Sequence, residues 1–376
     1  MSDHWLSPRG AQRFLREFWQ RKPLLARGAL PPVATALDRT RLIELACRDD
    51  VESRLVLGAG ANWRVEHGPF RRRDFARLPP RDWTLLVNGV ENVVPAAREL
   101  QQRFSFIPYA RHDDVMMSYA APGGGVGPHF DSYDVFLLQG AGTRRWQVSA
   151  QRDLALVDAA PLKILRRFRP QREWTLAGGD LLYLPPRYAH HGVAISDCMT
   201  WSIGMRAPGR QEMAARFLDF LHDHLQLDGG YHDPGLRPQR HPAAIGGAML
   251  RQVRAMVDSI RWGDADITRC LGEYLTEPRP EIVFGHARRL PAARFARAAS
   301  VRGLRLAPQS RMLFSGDMIF LNGETATPVR GAREALRKLA DRRCLPPAAR
   351  IDAAARELLY QWYRAGYIEL DGTRPA

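Results

Sequence analysis

Between Val51 and Arg206 the sequence is divided into short apolar runs that are separated by glycine and proline. Each run has the length and the aliphatic or aromatic content of a β-strand. Short strands interrupted so regularly favour an antiparallel barrel or sandwich over a fold in which strands and helices alternate. The runs are SRLVLGAG, DWTLLVNG, DVMMSYAAPGG, DVFLLQGAG, RRWQVSA, GGDLLYLPP and CMTWSIGMR.

Helical periodicity flanks these runs on both sides. Apolar residues at helical spacing predict one helix from Pro8 to about Arg21 and another from about Arg39 to Arg48. The segment KPLLARGAL between them is predicted to be extended. After Pro208 the helical period returns for about 70 residues, and its apolar face must pack on the barrel or on a second copy of the chain.

The sequence after Pro278 mixes both patterns. Two strands are predicted around the turn Asn322-Gly323, and a helix is predicted to end at Gly366 before a short final strand. Helices combined with a hairpin are typical of a winged-helix-like module. We therefore expect an α+β protein of three domains. They are a barrel over residues 1–207, a helical region over 208–278 and a winged-helix-like domain over 279–376.

The chain of 376 residues carries a formal net charge of +15 and contains only three lysines, Lys22, Lys163 and Lys338. Such a charge favours anionic partners, although a GC-rich genome also enriches arginine without functional consequence. The densest basic run suits RNA phosphates, or is simply a solvated surface. Its arginines are Arg288, Arg289, Arg294, Arg297, Arg302, Arg305 and Arg311.

The four cysteines lie far apart and form no Cys-x-x-Cys pair, which is typical of a reducing compartment. The N-terminus has no apolar segment of signal-peptide length, and no later run is long enough for a membrane helix. We therefore expect a cytoplasmic protein without a membrane partner.

The stretch GGGVGPHFDSYDVF, residues 123–136, places His129 two residues before Asp131. In a strand these two side chains project to the same side, where an imidazole and a carboxylate can bind a divalent metal. The preceding glycines are expected to leave room for substrate beside the metal. A His-x-Asp pair also occurs by chance, so it indicates a metal site only weakly without a third ligand.

A third ligand is predicted in GGDLLYLPPRYAHHG, where a strand and a rigid Pro-Pro lead to His190. Two histidines and one carboxylate on one face form the facial triad of non-haem Fe(II) oxygenases. Catalytic zinc more often uses three histidines, or two histidines and a glutamate. The sequence therefore predicts an Fe(II) site, and the roles of His191 and His112 are left open.

Arg144 begins a strand in which alternation places it on the apolar, inner face with Trp146 and Val148. A buried guanidinium requires an anionic partner. One candidate is 2-oxoglutarate, which would chelate iron at one end and meet Arg144 at the other. The other candidate is an internal aspartate or glutamate.

Long blocks of the sequence resemble the bacterial ribosomal oxygenases of the JmjC type, the RoxA-like ribosomal protein arginine hydroxylases. The blocks are FWQRKPLLARGAL, GGGVGPHFDSYDVFLLQGAGTRRWQV, GGDLLYLPPRYAHHGVA, MTWSIGMRAP, YHDPGLRPQRHPA and FLNGETATP. The resemblance implies a JmjC double-stranded β-helix, which is a cupin-like jelly-roll barrel, followed by a helical dimerisation region and a winged-helix domain. It therefore also implies a homodimer.

The same resemblance implies Fe(II), 2-oxoglutarate and O₂, and hydroxylation of an arginine β-carbon in a large-subunit ribosomal protein. By position it implies that His129, Asp131 and His190 are the catalytic iron ligands, and that Ser118 and Arg144 contact 2-oxoglutarate. His191 departs from the family, whose members often have an acidic residue there. RNA proximity through the basic surface is a further expectation.

Two other functions fit the same patterns. A JmjC scaffold also supports hydroxylation of a histidine or another protein side chain, or demethylation. Alternatively, the protein is a non-enzymatic nucleic-acid binder in which the winged-helix-like module reads nucleic acid and the barrel is a relic. The aromatic residues Phe130, Tyr133 and Phe136 are interpreted as core, with pocket walls as the alternative.

Overall fold

The computed structural model describes residues 7–30, 37–58, 63–285, 290–347, 349 and 351–372. The first part of the chain forms two antiparallel sheets flanked by short helices. Its elements are α1 (Pro8–Glu17), β1 (Leu24–Ala26), α2 (Arg39–Ala46), β2 (Ser53–Leu57), β3 (Arg64–His67), α3 (Arg72–Phe75), β4 (Trp83–Val87), α4 (Pro95–Gln102), β5 (His112–Ala120), β6 (Asp134–Ala141), β7 (Arg144–Ser149), β8 (Arg172–Leu176), β9 (Leu181–Leu184), β10 (Ala189–Ala194) and β11 (Cys198–Met205).

The larger sheet has eight strands in the order β1-β9-β6-β11-β5-β4-β2-β3, and the smaller has the order β10-β7-β8. Apolar side chains of both sheets meet between them, including Leu137 of β6, Trp146 of β7 and Leu182 of β9. This arrangement is the predicted jelly-roll barrel. Each predicted strand run contains a strand, and the extended segment KPLLARGAL contains β1.

Aromatic rings form the centre of the main core, where α1 packs on the larger sheet. Phe136 of β6 is fully buried, and its ring centroid lies 4.7 Å from that of Phe104 and 4.9 Å from that of Tyr183. Each such ring contributes about 1.5–3 kcal/mol to the folded state by leaving water. Phe136 is therefore core, as predicted, and is not a pocket wall.

Strand β6 is anchored at its first residue by a buried charge. The Asp134 carboxylate accepts hydrogen bonds from the Tyr183 hydroxyl, the Gln20 amide and the Arg111 guanidinium. A buried carboxylate is tolerated when its oxygens are paired in this way. This network fixes the end of the loop that carries the first two predicted metal ligands.

The second part of the chain contains three helices, followed by two small sheets with three further helices. In RMLFSGDMIFLNGETATPV the predicted turn is confirmed, because Asn322 and Gly323 adopt positive φ angles of 51° and 86° between the paired strands Met318–Leu321 and Glu324–Ala326. The elements are α5 (Arg210–His224), α6 (Gly247–Asp258), α7 (Asp264–Thr276), α8 (Ala292–Arg302), β12 (Leu304–Leu306), β13 (Met312–Ser315), β14 (Met318–Leu321), β15 (Glu324–Ala326), α9 (Arg330–Arg342), β16 (Cys344–Leu345), α10 (Ala353–Ala365) and β17 (Ile368–Leu370).

Helix α7 connects the helical region to the C-terminal sheets. It packs on β13, β14 and β15, where the Thr276 hydroxyl accepts a hydrogen bond from the Gly323 amide. The C-terminal part of the chain also contacts the barrel, since Arg279 pairs with Asp113 at 3.2 Å. Within the described part of the chain, no helix is both long and apolar enough to cross a membrane.

Local differences from the prediction are found mainly in polar segments. Helix α1 ends at Glu17 instead of Arg21, and α2 ends at Ala46 instead of Arg48. The short strands β12 and β16 were not predicted in the C-terminal part, and three described strands of the barrel lie outside the predicted runs, namely β3, β8 and β10. These strands combine polar and apolar residues, so composition does not identify them, and their pairing with neighbouring strands determines their conformation.

Candidate metal and cosubstrate site

A backbone bridge brings His129 and His190 together. The amide of His129 donates to the His190 carbonyl at 2.9 Å, and the amide of His190 donates to the His129 carbonyl at 2.8 Å. Apart from this isolated bridge the residues from 128 to 133 are not in a strand, so the prediction of strand alternation there is wrong. Non-local pairing with β10, and not the pleat, places the ligand candidates side by side.

Asp131 completes the cluster from the same loop. One ligand atom from each of His129, Asp131 and His190 lies within 4.8 Å of the others, and the His190 Nε2 to Asp131 Oδ2 distance is 3.6 Å. The Arg187 amide donates to the Asp131 carbonyl at 2.7 Å, which ties the loop to the start of β10. The three predicted metal ligands are therefore brought together.

Backbone carbonyls orient both imidazoles. The Nδ1 of His129 lies 2.9 Å from the Gly127 carbonyl oxygen, and the Nδ1 of His190 lies 3.0 Å from that of Tyr188. Because a carbonyl only accepts, each Nδ1 carries the proton and each Nε2 keeps its lone pair for a metal. Burial, reinforced by His129, lowers the pKa of His190 to about 4, so it is neutral and able to ligate at physiological pH.

The glycines before His129 allow close approach of the backbone and do not make room for substrate. A Cβ added to Gly125 would lie 2.6 Å from the Gly192 carbonyl oxygen, and one added to Gly124 would lie 2.2 Å from that of Trp83. Neighbouring chain already fills the space at both positions. The prediction that these glycines leave room for substrate is therefore wrong there, because close packing of the backbone excludes a side chain.

Arg144 is buried beside this cluster without an acidic partner. It is only 4% exposed, and its guanidinium donates long hydrogen bonds to Ser118 Oγ at 3.4 Å, Thr200 Oγ1 at 3.3 Å and the Gly192 carbonyl at 3.4 Å. Its Nε has no partner among the described residues. No carboxylate of the described chain pairs with it either, so the alternative of an internal salt bridge is wrong for this part of the chain.

The surroundings of Arg144 suit an anion. Burial lowers the pKa of its guanidinium, because a charge without a carboxylate partner is unfavourable in this environment. An incoming carboxylate would relieve that cost through charge-assisted hydrogen bonds. The predicted neighbour Ser118 lies on β5 within reach of the same anion, because it already contacts Arg144.

Trp146 and Thr200 are two residues of the site that the sequence motifs do not identify. The Trp146 ring lies 5.0 Å from the Arg144 guanidinium and 5.9 Å from the His190 ring, so it links the cation to the metal cluster. Thr200 accepts from Arg144 and donates to Gln139 Oε1 at 3.1 Å. The available signals were that Trp146 shares the inner face with Arg144, and that Thr200 is a polar residue in a largely apolar strand.

His191 and His112 do not join the cluster. His191 faces away from His190 along β10, with its ring edge against Phe168 at 6.2 Å, and burial lowers its pKa to about 4. His112 is buried, and its Nε2 lies 3.1 Å from the Ile107 carbonyl oxygen, so it fixes the start of β5.

Two protein-family models match this chain. A JmjC domain matches residues 99–213, and a ROXA-like winged helix matches residues 258–369. The crystal structure "X-Ray structure of E. coli ycfD" has a TM-score of 0.83 with 30% identity, over 95% of this chain and 97% of that one. The protein thus has a JmjC domain followed by helices and a ROXA-like winged helix, which confirms the predicted fold.

The chain belongs to the family of ribosomal oxygenases. It is 34% identical over 273 residues to the ribosomal protein uL16 3-hydroxylase of Escherichia coli, and the aligned region covers 72% of each chain. It is 38% identical over 249 residues to a probable ribosomal oxygenase of Haemophilus influenzae, covering 65% of this chain and 61% of the relative.

A second structure of YcfD supports the cosubstrate prediction. YcfD, described as a ribosomal oxygenase from Escherichia coli, was solved with cobalt and 2-oxoglutarate. It has a TM-score of 0.81 and 30% identity over 96% of this chain and 98% of that one. Together with the two-histidine, one-aspartate cluster described above, this confirms the predicted cofactors Fe(II) and 2-oxoglutarate.

Proposed function

We propose that this protein uses Fe(II), 2-oxoglutarate and O₂ to hydroxylate the β-carbon of an arginine side chain in a large-subunit ribosomal protein. The observation that carries the proposal is a His-Asp-His cluster next to a buried arginine that has no carboxylate partner in the described chain. The name of the uL16 3-hydroxylase supports a ribosomal protein as substrate. Such a substrate would place the reaction in the cytoplasm.

Each group in the site has a distinct role under this proposal. His129, Asp131 and His190 would hold the metal on one face and leave the other face for ligands. Arg144, with Ser118 beside it, would bind the far carboxylate of the cosubstrate. When bound, iron and 2-oxoglutarate supply the oxidising chemistry, while the protein supplies orientation and a dry pocket.

The substrate assignment can be tested by mass spectrometry of ribosomal proteins from a strain that lacks this gene. We expect one arginine in a large-subunit protein to lose the mass of one oxygen atom relative to the parent strain, and to regain it on complementation. An oxygen lost from a histidine or from another side chain would favour the alternative JmjC activity. An unchanged set of ribosomal proteins would contradict the proposal.

The non-enzymatic alternative is less well supported by the barrel. A barrel retained only as a scaffold gains nothing from a buried arginine without a carboxylate, since that charge costs stability. Arg144 and the three grouped metal ligands instead suit a site that still binds its cosubstrate and its metal.

The basic run that favours the non-enzymatic alternative is largely committed to contacts within the chain. Arg305 pairs with Glu369 at 2.8 Å, and Arg311 pairs with Asp113 at 3.8 Å. The Arg302 guanidinium also donates to a backbone carbonyl. Two further arginines of the run, at positions 288 and 289, lie outside the described residues. Two of the five described charges of the run are therefore neutralised within the chain, and Arg294 and Arg297 remain exposed.

We also propose that the protein is a homodimer and that its helical region, residues 208–278, forms the interface. This region lies between the proposed barrel domain, residues 1–207, and the proposed winged-helix-like domain, residues 279–376. Helix α6 buries none of its residues in the chain and presents a continuous apolar face, whereas α5 packs on α7 through Phe220 and Cys270. An apolar stripe of this kind is more stable when a second copy covers it. The exposed residues of the α6 face are Met249, Leu250, Val253, Met256 and Val257.

The dimer can be tested by changing the two faces of α6 separately. We expect Leu250→Glu with Val253→Glu to halve the mass measured by analytical ultracentrifugation, because charges would otherwise be buried in the interface. Ala255→Glu on the opposite, exposed face is the control and should leave the mass unchanged. A wild-type protein that sediments as a monomer at micromolar concentration would contradict the proposal.

A further inference from the structure

The loop between β7 and β8, residues 150–171, lies directly beside the metal cluster. The Leu165 amide donates to the Pro128 carbonyl at 2.8 Å, next to His129. The ring of Phe168 stands edge-on against His191, the neighbour of His190, at an interplanar angle of 88°. The loop therefore contacts the segment that carries His129 and also packs on the side of β10 that faces away from the cluster.

Internal hydrogen bonds give this loop a fixed shape. The Gln151 side chain donates to the Arg167 carbonyl at 2.9 Å and accepts from the Arg169 amide at 3.0 Å. Leu156 and Leu165 form a further bridge across the loop. Side chains on such a loop are presented in a defined arrangement, which reduces the entropy lost when a ligand binds.

This loop and the adjoining strands carry exposed basic side chains. Arg167 and Arg169 flank Phe168, whose ring contacts His191 of β10. Arg145 lies on β7 and is paired with Val193 of β10. We define the loop patch by its exposed cations, which lie on the loop and on its two flanking strands. The loop patch consists of Arg145, Arg152, Lys163, Arg167, Arg169 and Arg172.

The cations of the loop patch have no acidic partner in the described structure. Loop residue Arg166, which is excluded from the patch, instead pairs with Asp158 at 2.8 Å. A group of exposed cations with like charge repels itself unless an anion lies nearby. The loop patch therefore suits an anionic partner that approaches the barrel from this side.

The loop patch contrasts with the basic run near the C-terminus. Of the described arginines in that run, only Arg294 and Arg297 are exposed without an acidic partner, on α8. The other three form the intramolecular bonds described above. Among the described residues, unpaired exposed cations are therefore more numerous in the loop patch than in this run.

We propose that the loop patch binds the phosphate backbone of RNA beside the metal site. Unpaired arginines on a fixed surface neutralise phosphates without reading base sequence. The inference rests on the proposed function in one respect: a ribosomal protein substrate lies against RNA, so an anionic partner would reach the site together with it. A basic protein segment alone would be repelled by this surface.

The test measures RNA binding in the full-length protein without metal or 2-oxoglutarate. Fluorescence anisotropy of a labelled single-stranded RNA is followed between about 0.05 and 0.3 M salt. We expect the triple variant Arg145→Ala, Arg167→Ala, Arg169→Ala to lose roughly 10- to 100-fold in affinity. The slope of log K against log salt should fall by about 2, since each phosphate contact contributes about 0.7 on single strands.

A matched control removes the same charge from the winged-helix-like domain. The control variant is Arg294→Ala, Arg297→Ala, Arg330→Ala, whose three arginines are exposed and unpaired in the described structure. We expect it to retain affinity within about threefold, because salt screens charges that lie more than about 10 Å from the bound RNA. Equal losses in both variants would mean that only net charge matters, and would overturn the proposal.

Three other outcomes would also overturn the proposal. The first is a larger loss in the control variant, which would assign RNA binding to α8 and α9. The second is the absence of RNA binding by the wild type. The third is displacement of RNA by equimolar poly-glutamate, which would indicate an acidic protein partner. Because RNA binding is measured without cofactors, failure of this proposal is distinguishable from failure of the oxygenase assignment.

Discussion

Asp131→Ala is expected to lower 2-oxoglutarate turnover by roughly 10³-fold or more. Removing a residue that only hydrogen-bonds to a metal ligand already lowers metal affinity or activity by about 10- to 100-fold, and removing a ligand should have a larger effect. The variant leaves His129 and His190 as two ligands without the carboxylate that balances the charge of a divalent ion. The measurement is anaerobic titration of Fe(II) and 2-oxoglutarate, followed by addition of O₂ and quantification of succinate.

The control for this variant is Asp158→Ala in the exposed loop, where the carboxylate pairs with Arg166 on the surface. An exposed ion pair of this kind contributes little to stability, so the variant should keep its fold. Its turnover should therefore stay within about twofold of the wild type. Circular dichroism should show that both variants are folded. Undiminished turnover by folded Asp131→Ala would exclude this cluster as the metal site.

Arg144→Met is expected to have opposite effects on stability and on cosubstrate use. The KM for 2-oxoglutarate should rise roughly 30- to 5,000-fold, which corresponds to about 2–5 kcal/mol for truncating one partner of a buried charge pair. The protein without cosubstrate should become more stable, by about 1–4 kcal/mol, because a buried cation without a carboxylate is replaced by an apolar side chain. Turnover at varied 2-oxoglutarate measures the first effect, and thermal unfolding measures the second.

Arg73→Met is the matched control, since Arg73 is an exposed arginine of α3 in the same domain. It should keep both the KM and the increase in unfolding temperature that 2-oxoglutarate produces. Arg144→Lys should restore only part of the binding, because an ammonium group lacks the planar pair of donors. A normal 2-oxoglutarate-dependent increase in the unfolding temperature of Arg144→Met would contradict the role of Arg144.

Residue chemistry and spacing pointed to the three metal-ligand candidates and to Arg144, but not to Trp146 or Thr200, and Ser118 came only from the family resemblance. The motifs pointed to His129, Asp131 and His190 because few other combinations place two imidazoles and a carboxylate within a predicted barrel. Strand alternation also placed Arg144 inside, because alternation is a local property of the backbone. The turn at Asn322-Gly323 was predictable for a similar reason, since few residue types adopt positive φ readily.

The geometry of two of the predicted ligands, His129 and Asp131, has a different cause from the predicted one. The loop between Pro128 and Tyr133 is not a strand, so alternation does not align His129 with Asp131. Their positions depend on hydrogen bonds to the backbone of β10 and of the turn before it. Such contacts join segments about 60 residues apart, and no local pattern specifies which backbone groups will pair.

The sequence by itself determined which parts to expect. They were a barrel of short strands, a predicted set of Fe(II) ligands and an inward arginine that needs an anion. Only the tertiary structure decided which charges have partners. It left Arg144 without a carboxylate among the described residues, paired Arg305 and Arg311 within the chain, and left Arg167 exposed on the loop between β7 and β8. The physical reason is that burial and pairing depend on which distant segments pack together, whereas side-chain chemistry and backbone alternation are properties of the local chain.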